Sequence, residues 1–331
     1  MSTPRVYVIH ENPEWFPPLA AAFAAEGVPV QEVLLTEGQI DLGAEPEPGV
    51  YWSRMSASSH TRGHEHSKEY TRAVLGWLEC AGRTVVGGSH VLELEVSKVA
   101  QHGLLQAAGF DVPRTSAVFG TAPLKEAART FTGGQDVPFI TKHNQGGKGL
   151  GVRRFDSLAE FDAYVDSPEF EAPVDGITLL QEYLTAREPF ITRAEFVGGE
   201  FVYAVRVDTS AGSFELCPAD ACEVPQVIAG AVCDVPGVEA PGAPAAFSLR
   251  EEVTSEHPLV QRLRTFLADQ GIQIAGVEFM ETTDGRTVVY DINTNTNYNP
   301  AVEAVAPVSG PRAIARFTGA LLERDHAVAA V

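Results

Sequence analysis

Residues 275–293, near the C-terminal end, constrain the fold of this chain more than any other stretch. Two apolar-rich runs flank Asp284-Gly285, a dipeptide typical of the two-residue turn of a β-hairpin. If these two residues form the turn, counting outward sets Glu278 directly opposite Asp291. The sequence therefore predicts a hairpin in which two carboxylates face each other.

Side chains of a strand alternate between its two faces, so Asn293 is expected on the same face as Glu278 and Asp291. The opposite face is expected to carry Val277, Phe279, Tyr290 and Ile292. Like charges directly opposite each other destabilise a strand pair, but a hard cation between them removes the conflict. Carboxylate and amide oxygens suit Mg²⁺, which takes its other ligands from water and substrate phosphates. The hairpin alone leaves a second interpretation open, namely a solvated face whose charges avoid each other.

Composition limits the classes of function. At 331 residues and 44% hydrophobic content, the chain is expected to fold into two or three compact units. It contains no apolar run of 18 residues and no signal-peptide pattern, so we expect a cytoplasmic protein that does not bind membranes. A formal charge of −20 argues against nucleic acid as a partner. Reduced thiols are expected, although Cys217 and Cys222 leave a metal site or a disulfide open.

Residues 1–95 alternate strand and helix patterns, which predicts a parallel sheet with helices. The polar loop Arg54–His66 follows the third strand, at the sheet edge where ligands bind in such folds. We therefore expect substrate contacts, for example to a carboxylate, from the basic side chains of this loop: Arg54, His60, Arg62, His64 and His66. A His-rich zinc site and a solvated loop are the alternatives.

Two later stretches place lysines next to candidate phosphate sites. Lys98 follows the helix N-cap candidate Ser97, where the helix dipole disfavours a cation. Lys142 ends a short strand and leads into the glycine-rich loop 145–151, whose backbone can approach a phosphate closely. The spacing is not that of a P-loop, and a plain turn is the alternative.

The remaining pattern is a strand at Ile177–Leu184, then a hairpin around Gly198-Gly199 that carries Arg193 and Arg206. Residues 223–247 are rich in Pro, Gly, Ala and Val without a period and are expected to form a long loop. A helix is expected to end at Gly271, and another to run from about Pro311 to Arg324.

Five features of the chain occur in an order that resembles the ATP-grasp carboxylate–amine ligases, most closely their RimK-like α-L-glutamate ligase branch. They are Lys98, Lys142 with its glycine loop, Gln181–Leu184, the arginine hairpin and Glu278…Asp291-Ile-Asn293. The resemblance covers residues from about 84 to 310. It implies an α/β protein in which two α+β lobes follow an N-terminal parallel-sheet domain. The implied bounds are 1–95 for that domain, 96–184 for the small lobe and 185–331 for the C-terminal lobe.

The resemblance also implies roles for individual residues. It gives ATP phosphate, flap and adenosine contacts to Lys98, Lys142, Gln145, Gly146, Gly147, Lys148, Gly149, Gln181, Glu182, Tyr183 and Leu184. Glu278, Asp291 and Asn293 would hold Mg²⁺ or Mn²⁺, and Arg206, with Arg193 second, would stabilise the reacting phosphate. Asn295 joins the loop Arg54–His66 as a candidate substrate contact, and a homo-oligomer is compatible with the family.

The implied reaction activates a carboxylate of an amino acid or small peptide as an acyl phosphate, and an amine then displaces phosphate to form an amide. The alternatives are a phosphotransferase acting on a hydroxyl and a nucleotide-binding regulator without turnover. The chain departs from the pattern at Ile191, where some relatives have an acidic residue. It also departs at 294–300, which replace the usual Pro-Gly ending.

Overall fold

The structure is a computed structural model that describes residues 3–147, 149, 151–210 and 247–329. It contains one parallel and two antiparallel sheets, so the expected mixed α/β class is confirmed. None of the helices within these ranges is both long and apolar enough to cross a lipid bilayer. Residues 223–246 of the expected long loop lie outside the described residues, as do Cys217 and Cys222.

The N-terminal sheet is parallel, as predicted, and its four strands lie in the order β2-β1-β3-β4. The strands and helices here are β1 (Arg5–His10), α1 (Phe16–Ala25), β2 (Val30–Leu34), β3 (Gly49–Ser53), α2 (Ser67–Cys80), β4 (Thr84–Val86), α3 (Ser89–Glu95) and α4 (Lys98–Ala107), with 3-10 turns at Pro13–Trp15 and Ser59–Arg62. Both faces of the sheet are apolar: Trp52 packs towards α1, and Tyr51 towards α2. The loop after β3 therefore leaves a rigid, buried strand.

The second sheet is antiparallel, in the order β5-β8-β6-β7. Its elements are β5 (Thr115–Phe119), α5 (Leu124–Thr132), β6 (Phe139–His143), β7 (Arg153–Phe155), α6 (Leu158–Val165) and β8 (Ile177–Glu182). Three aromatic side chains, Phe139, Phe155 and Phe161, pack together on the face covered by α5 and α6. The other face carries Ile140, Lys142 and Gln181, and it is this face that borders the candidate site.

The third sheet is also antiparallel, in the order β11-β10-β9-β12-β13. Its elements are β9 (Phe190–Val197), β10 (Glu200–Asp208), β11 (Phe247–Leu249), α7 (Pro258–Asp269), β12 (Ile274–Glu281), β13 (Thr287–Asn293), α8 (Pro300–Glu303) and α9 (Gly310–Ala329). Helices α4 and α7 pack on one face through Leu105, Leu263 and Phe266. Helix α9 instead packs on the N-terminal sheet through Ile314 and Ala315. The three expected domain bounds stay a prediction, and helices α4 and α9 make contacts across them.

Candidate functional site

The hairpin of β12 and β13 sets Glu278 opposite Asp291, as predicted, although the turn itself was predicted wrongly. The Thr282 backbone N–H donates to the Arg286 carbonyl at 2.9 Å, which closes a turn one residue longer than expected. A bulge at Tyr290 then inserts one extra residue into β13. The two differences cancel, so the predicted pair of carboxylates is restored beyond the bulge.

The bulge changes the direction of one side chain. Tyr290 was expected beside Val277 and Phe279, but it packs with Met280 on the opposite face, and that expectation was wrong. Its ring lies 5.1 Å from Lys142 Nζ. A bulge redirects side chains because the strict alternation of the strand is broken there. Tyr290 thereby becomes part of the candidate site.

Glu278 and Asn293 lie together on the face of the hairpin that points towards the second sheet. Asn293 Nδ2 donates to Glu278 Oε1 at 3.3 Å, and Glu278 is only 7% exposed. Burial, and next the charge of Asp291, raise the pKa of Glu278, while Arg193 and Lys98 oppose the shift. At Glu278, burial and the charge of Asp291 therefore outweigh the two cationic side chains.

Two lysines from separate elements converge on Asp291. Lys98 Nζ, at the start of α4, lies 2.6 Å from Asp291 Oδ1. Burial acts to raise the pKa of Asp291, but Lys98 and then Lys142 outweigh it and hold that pKa below its usual range. Burial and the charge of Lys98 lower the pKa of Lys142 to about 8. The site therefore concentrates both signs of charge in a buried place.

The donor set fits a hard divalent cation. Glu278, Asp291 and Asn293 offer two carboxylates and an amide oxygen, and Lys98 already places a cation on one of them. Among the described residues, no three His, Cys, Asp or Glu side chains are grouped as metal ligands, so the structure does not support a zinc site in the loop Arg54–His66.

Arg193 lies on the face of the third sheet that carries Glu278, its register partner on β12. Its Nη1 is 3.7 Å from Glu278 Oε1, and its Nε donates to Glu195 Oε1 at 2.7 Å. Its Nη2 donates to Thr296 Oγ1, which in turn donates to Glu195 Oε2 at 2.9 Å. The buried Glu195 carboxylate and the Thr296 hydroxyl therefore fix the Arg193 guanidinium beside Glu278.

Gly276 makes room for this guanidinium. A Cβ at position 276 would lie 2.5 Å from Arg193 Nε and 3.0 Å from its Cζ. The backbone of β12 is ordinary here, so the constraint is steric. Sequence reasoning did not single out Gly276, because its neighbour across the sheet is 83 positions away in the chain.

Arg206 was expected to be the main arginine of the site, with Arg193 second, but it lies on the opposite face of the sheet. It pairs in register with Thr192, the residue next to Arg193, and side chains of adjacent residues in a strand point to opposite faces. The Arg206 guanidinium lies over the ring of Phe190, 4.1 Å from its centroid. The expected order of the two arginines is therefore corrected, and Arg193 is the one at the site.

A cavity of about 360 Å³ lies between the second and third sheets. Its lining includes five of the predicted nucleotide contacts, together with apolar and aromatic side chains from both sheets: Lys142, Gln181, Glu182, Tyr183, Leu184, Ile140, Val152, Ile191, Met280 and Tyr290. The Glu182 carboxylate accepts from the Arg114 backbone N–H and from Arg286, each at 3.0 Å. The volume and the largely apolar walls are typical of a small-molecule site.

The glycine loop starts next to the same lysines. The Asn144 carbonyl accepts from the Lys98 N–H, and Asn144 Oδ1 accepts from the Val99 N–H at 3.0 Å. Asn144, which the sequence analysis missed, therefore joins the loop to the first turn of α4. Gln145 accepts a hydrogen bond from Lys68. Gly146, Gly147 and Gly149 follow, whereas Lys148 lies outside the described residues.

In the loop after β3, Arg62 and His64 contact a carboxylate, but it belongs to the chain itself. Arg62 donates to both oxygens of Glu11, at 3.1 and 2.6 Å, and His64 Nδ1 lies 3.0 Å from Glu11 Oε2. Glu11 is fully buried at the end of β1. The expectation that these two side chains bind a substrate carboxylate is therefore corrected.

The remaining substrate candidates differ in whether their polar atoms are already bound within the chain. Arg54 is 2% exposed and donates to the Thr296 carbonyl at 3.2 Å and to Asn297 Oδ1 at 2.7 Å. Within the described ranges, His60 Nδ1 and Asn295 Oδ1 are buried and have no hydrogen-bond partner. Arg54 thus stabilises the segment that follows β13. His60 Nδ1 and Asn295 Oδ1 remain candidates for binding a substrate.

No sequence-family model and no curated protein match this chain. Solved structures do match over nearly its whole length. A RimK-domain ATP-grasp protein from Sphaerobacter thermophilus has a TM-score of 0.64 at 17% identity, with 95% of this chain and 98% of that one covered.

Two further structures agree. The ATP-grasp ligase PsnB, complexed with a minimal precursor, Mg and ADP, has a TM-score of 0.61 at 16% identity, with 99% of this chain and 98% of that one covered. D-alanyl-alanine synthetase A from Vibrio cholerae has a TM-score of 0.62 at 12% identity, covering 98% and 99%. The expected ATP-grasp fold is thereby confirmed.

Proposed function

We propose that this chain is an ATP- and Mg²⁺-dependent carboxylate–amine ligase that works through an acyl phosphate. The observation that carries the proposal is the buried pair Glu278 and Asp291, with Lys98 and Lys142 converging on it at the edge of a nucleotide-sized cavity. Solved ATP-grasp ligases that share the fold support this class of reaction, and one of them is complexed with Mg and ADP.

The purine and ribose of ATP are proposed to occupy the cavity of about 360 Å³, beside Glu182 and Leu184. The phosphates then reach Lys98 and Lys142, whose ammonium groups neutralise their charge. Glu278, Asp291 and Asn293 would hold Mg²⁺, which supplies charge neutralisation to the phosphate oxygens when bound. Lys98 is proposed to leave Asp291 for a phosphate oxygen at that point.

In the first step, an oxygen of the substrate carboxylate attacks the γ-phosphorus, and the bond from that phosphorus to the bridging oxygen of ADP breaks. This step needs alignment and charge stabilisation more than a protein nucleophile. Arg193 is held beside Glu278 and supplies a fixed cation for the transferred phosphoryl group. The products of this step are the acyl phosphate and ADP.

In the second step, the neutral amine attacks the acyl carbon, and phosphate leaves as the amide forms. The amine loses one proton, which passes to solvent or to the released phosphate. Arg193 also faces the oxyanion that develops at the acyl carbon. His60 and Asn295 are the proposed substrate contacts because their buried polar atoms have no partner among the described residues.

Hydroxylamine trapping tests this proposal. The protein is incubated with ATP, Mg²⁺, hydroxylamine and a panel of amino acids and dipeptides, and hydroxamate and phosphate are measured. An acyl phosphate reacts with hydroxylamine, so at least one acid should give ATP-dependent hydroxamate. Arg193→Gln should abolish it, and Arg206→Gln, on the other face of the sheet, should not.

The two alternatives give different results in the same assay. A phosphotransferase acting on a hydroxyl would release ADP and form a stable phosphate ester, with no hydroxamate. A nucleotide-binding regulator would bind ADP and release no phosphate with any acid in the panel. Either result would overturn the ligase proposal.

A further inference from the structure

A buried lysine at the start of α2 has only a neutral partner. Lys68 is 2% exposed, and its Nζ donates to Gln145 Oε1 of the glycine loop. In the part of the chain that the structure describes, no carboxylate oxygen lies within 4.0 Å of Lys68 Nζ. An ammonium group has three protons to donate, so most of its hydrogen-bonding capacity is unused here.

The surroundings of Lys68 make an unneutralised charge costly in two ways. Burial lowers the pKa of Lys68, and the charges of Glu69 and Asp175 oppose this shift only in part. Lys68 is also the second residue of a 14-residue helix, where the helix dipole disfavours a cation. Buried charges in proteins are normally paired with an opposite charge. A lysine in this place therefore indicates that an anion binds to it.

The glycine loop packs against a turn that carries further unpaired polar atoms. A Cβ at Gly147 would lie 3.4 Å from Ser58 Cβ, at the start of the 3-10 turn after β3. Within the described ranges, Ser59 Oγ and His60 Nδ1 on this turn are buried and have no hydrogen-bond partner. Burial, and next the charge of Lys68, lower the pKa of His60, so the two side chains are neighbours. An anion beside Lys68 would thus also find neutral hydrogen-bonding groups nearby.

Lys68 has a different charge environment from the two lysines proposed for ATP. Glu69 and Asp175 are the acidic groups whose charges act on Lys68. The charges acting on Lys98 and Lys142 instead include the carboxylate pair of the β12–β13 hairpin. The anion at Lys68 is therefore expected to differ from the phosphates. The glycine loop is proposed to cover those phosphates, and in the first step the acid substrate must lie beside them.

We infer that Lys68 binds a second carboxylate of the acid substrate, one that does not react. Gln145 offers the ammonium group only a neutral oxygen, and the substrate carboxylate displaces it because a charged acceptor binds an ammonium group more strongly. This inference rests on the proposed ligase reaction and names the class of its acid. That class is a dicarboxylic amino acid or a peptide with an acidic side chain.

Saturation-transfer difference NMR titrations with MgADP present test the inference without any need for turnover. The probes are pairs that differ only in one carboxylate: L-glutamate and L-glutamine, L-aspartate and L-asparagine, and the dipeptides alanyl-glutamate and alanyl-glutamine. The wild-type chain should bind the acidic member of at least one pair about tenfold more tightly than its amide. Lys68→Met should bring that ratio to within about threefold by weakening the acidic member alone. Lys125→Met, at an exposed lysine paired with Asp166, is the matched control and should keep the wild-type ratio.

Urea unfolding followed by circular dichroism separates a binding lysine from a structural one. Lys68→Met replaces an unneutralised buried charge by an apolar side chain of similar length, so the midpoint should stay the same or rise. Gln145→Glu supplies a carboxylate from the chain itself to Lys68. It should raise the midpoint and abolish the preference for the acidic probe. A lower midpoint in Lys68→Met would show that Lys68 stabilises the fold and would overturn the inference.

Nucleotide affinity distinguishes a substrate carboxylate from a phosphate as the bound anion. Calorimetric titration with MgADP and with a MgATP analogue that is not hydrolysed should give the same Kd for wild type and Lys68→Met, within about threefold. A tenfold loss for either nucleotide would assign Lys68 to a phosphate and overturn the inference, as would a wild-type chain that prefers no acidic probe. If the preference is found but hydroxylamine trapping gives no product, only the ligase proposal fails. If hydroxamate forms equally fast in wild type and Lys68→Met, only this inference fails.

Discussion

At the residue scale, the position of Arg193 decides which cation of the third sheet would stabilise a transferred phosphoryl group. Glu195 and Thr296 fix its guanidinium beside Glu278, whereas Arg206 lies on the other face over Phe190. The sequence analysis favoured Arg206, and this was wrong. Which arginine faces Glu278 is decided by the order of β9, β10 and β12 in the sheet. That order is a tertiary property that hairpin patterns do not contain.

Replacement of each arginine by glutamine separates the two positions. Arg193→Gln should lower kcat about 100- to 1,000-fold, because a preorganised cation at the transferred phosphoryl group is lost. Arg206→Gln should leave kcat within about twofold, since its guanidinium lies over Phe190 on the face of the sheet away from Glu278. Steady-state rates of phosphate release measure both. Equal losses in the two variants would contradict the assignment.

Gly276→Ala is a steric test of the same contact. The new Cβ would lie 2.5 Å from Arg193 Nε and would push the guanidinium off its present position. A displacement of that kind is expected to lower kcat about 100-fold while ADP affinity changes little. Gly103→Ala, in α4 with no atom of the described residues within 4 Å of the new Cβ, is the matched control and should leave kcat unchanged. Full activity of Gly276→Ala would show that the Arg193 position is not needed.

At the element scale, the register of the β12–β13 hairpin shows what the sequence could and could not determine. The pair Glu278 and Asp291 was predicted with the right partners, because the longer turn and the bulge at Tyr290 offset each other. The bulge itself has no signal in the sequence, and it moved Tyr290 from the expected apolar face to the site. The strands and their alternation were predictable from local pattern, whereas the bulge depends on packing against Lys142 and Met280.

The loop after β3 gives a second example. Its position at the end of a parallel strand was predictable from the order of strands and helices. The partner of Arg62 and His64 was not, because Glu11 is 51 residues from Arg62 and carries no motif. Asn144 was missed for the same reason: its contacts with α4 join two segments that are 45 residues apart in the chain.

Helix α4 carries a pH-dependent contact that can be measured. Burial lowers the pKa of His102 to about 4, against 6.5 for the free side chain. Between these values the unfolded chain binds a proton that the folded chain does not, so the free energy of unfolding falls as pH is lowered from 6.5 to 4. The maximum loss from this one group is about 3 kcal/mol.

His102→Gln removes this contribution. Urea unfolding followed by circular dichroism from pH 7 to pH 4.5 should show a smaller acid-induced loss in the variant than in the wild-type chain. The variant should also be less stable at pH 7, because the bonds to Tyr290 and Thr115 are weakened. Parallel pH profiles for the two proteins would contradict the buried neutral state of His102.

At the scale of the whole molecule, Arg54 joins the N-terminal sheet to the segment that follows the β12–β13 hairpin. Its guanidinium donates to the Thr296 carbonyl and to Asn297 Oδ1, and it lies 5.5 Å from the ring centroid of Trp15 and 5.6 Å from that of Trp52. Thr296 also contacts Arg193. One buried cation therefore connects the first sheet to the arginine at the site.

Asn297→Ala should destabilise the chain by about 1–3 kcal/mol, because Arg54 loses an acceptor in a buried place. Gln31→Ala, which removes only the exposed contact with Arg5, is the control and should change the free energy of unfolding by less than about 0.5 kcal/mol. Tryptophan fluorescence during urea unfolding reports this region, since all three tryptophans lie in residues 15–77. Equal midpoints for both variants would show that the connection contributes nothing.

Glu278 and Asp291 are proposed to face each other because together they hold a divalent cation with the nucleotide. Electron paramagnetic resonance of Mn²⁺ in the presence of ADP measures this directly. The wild-type chain should bind Mn²⁺ tightly with ADP, Asp291→Asn should weaken that binding about 100-fold, and Asp284→Asn, in the exposed turn of the same hairpin, should not change it. Mn²⁺ binding that is the same in wild type and Asp291→Asn would contradict the account.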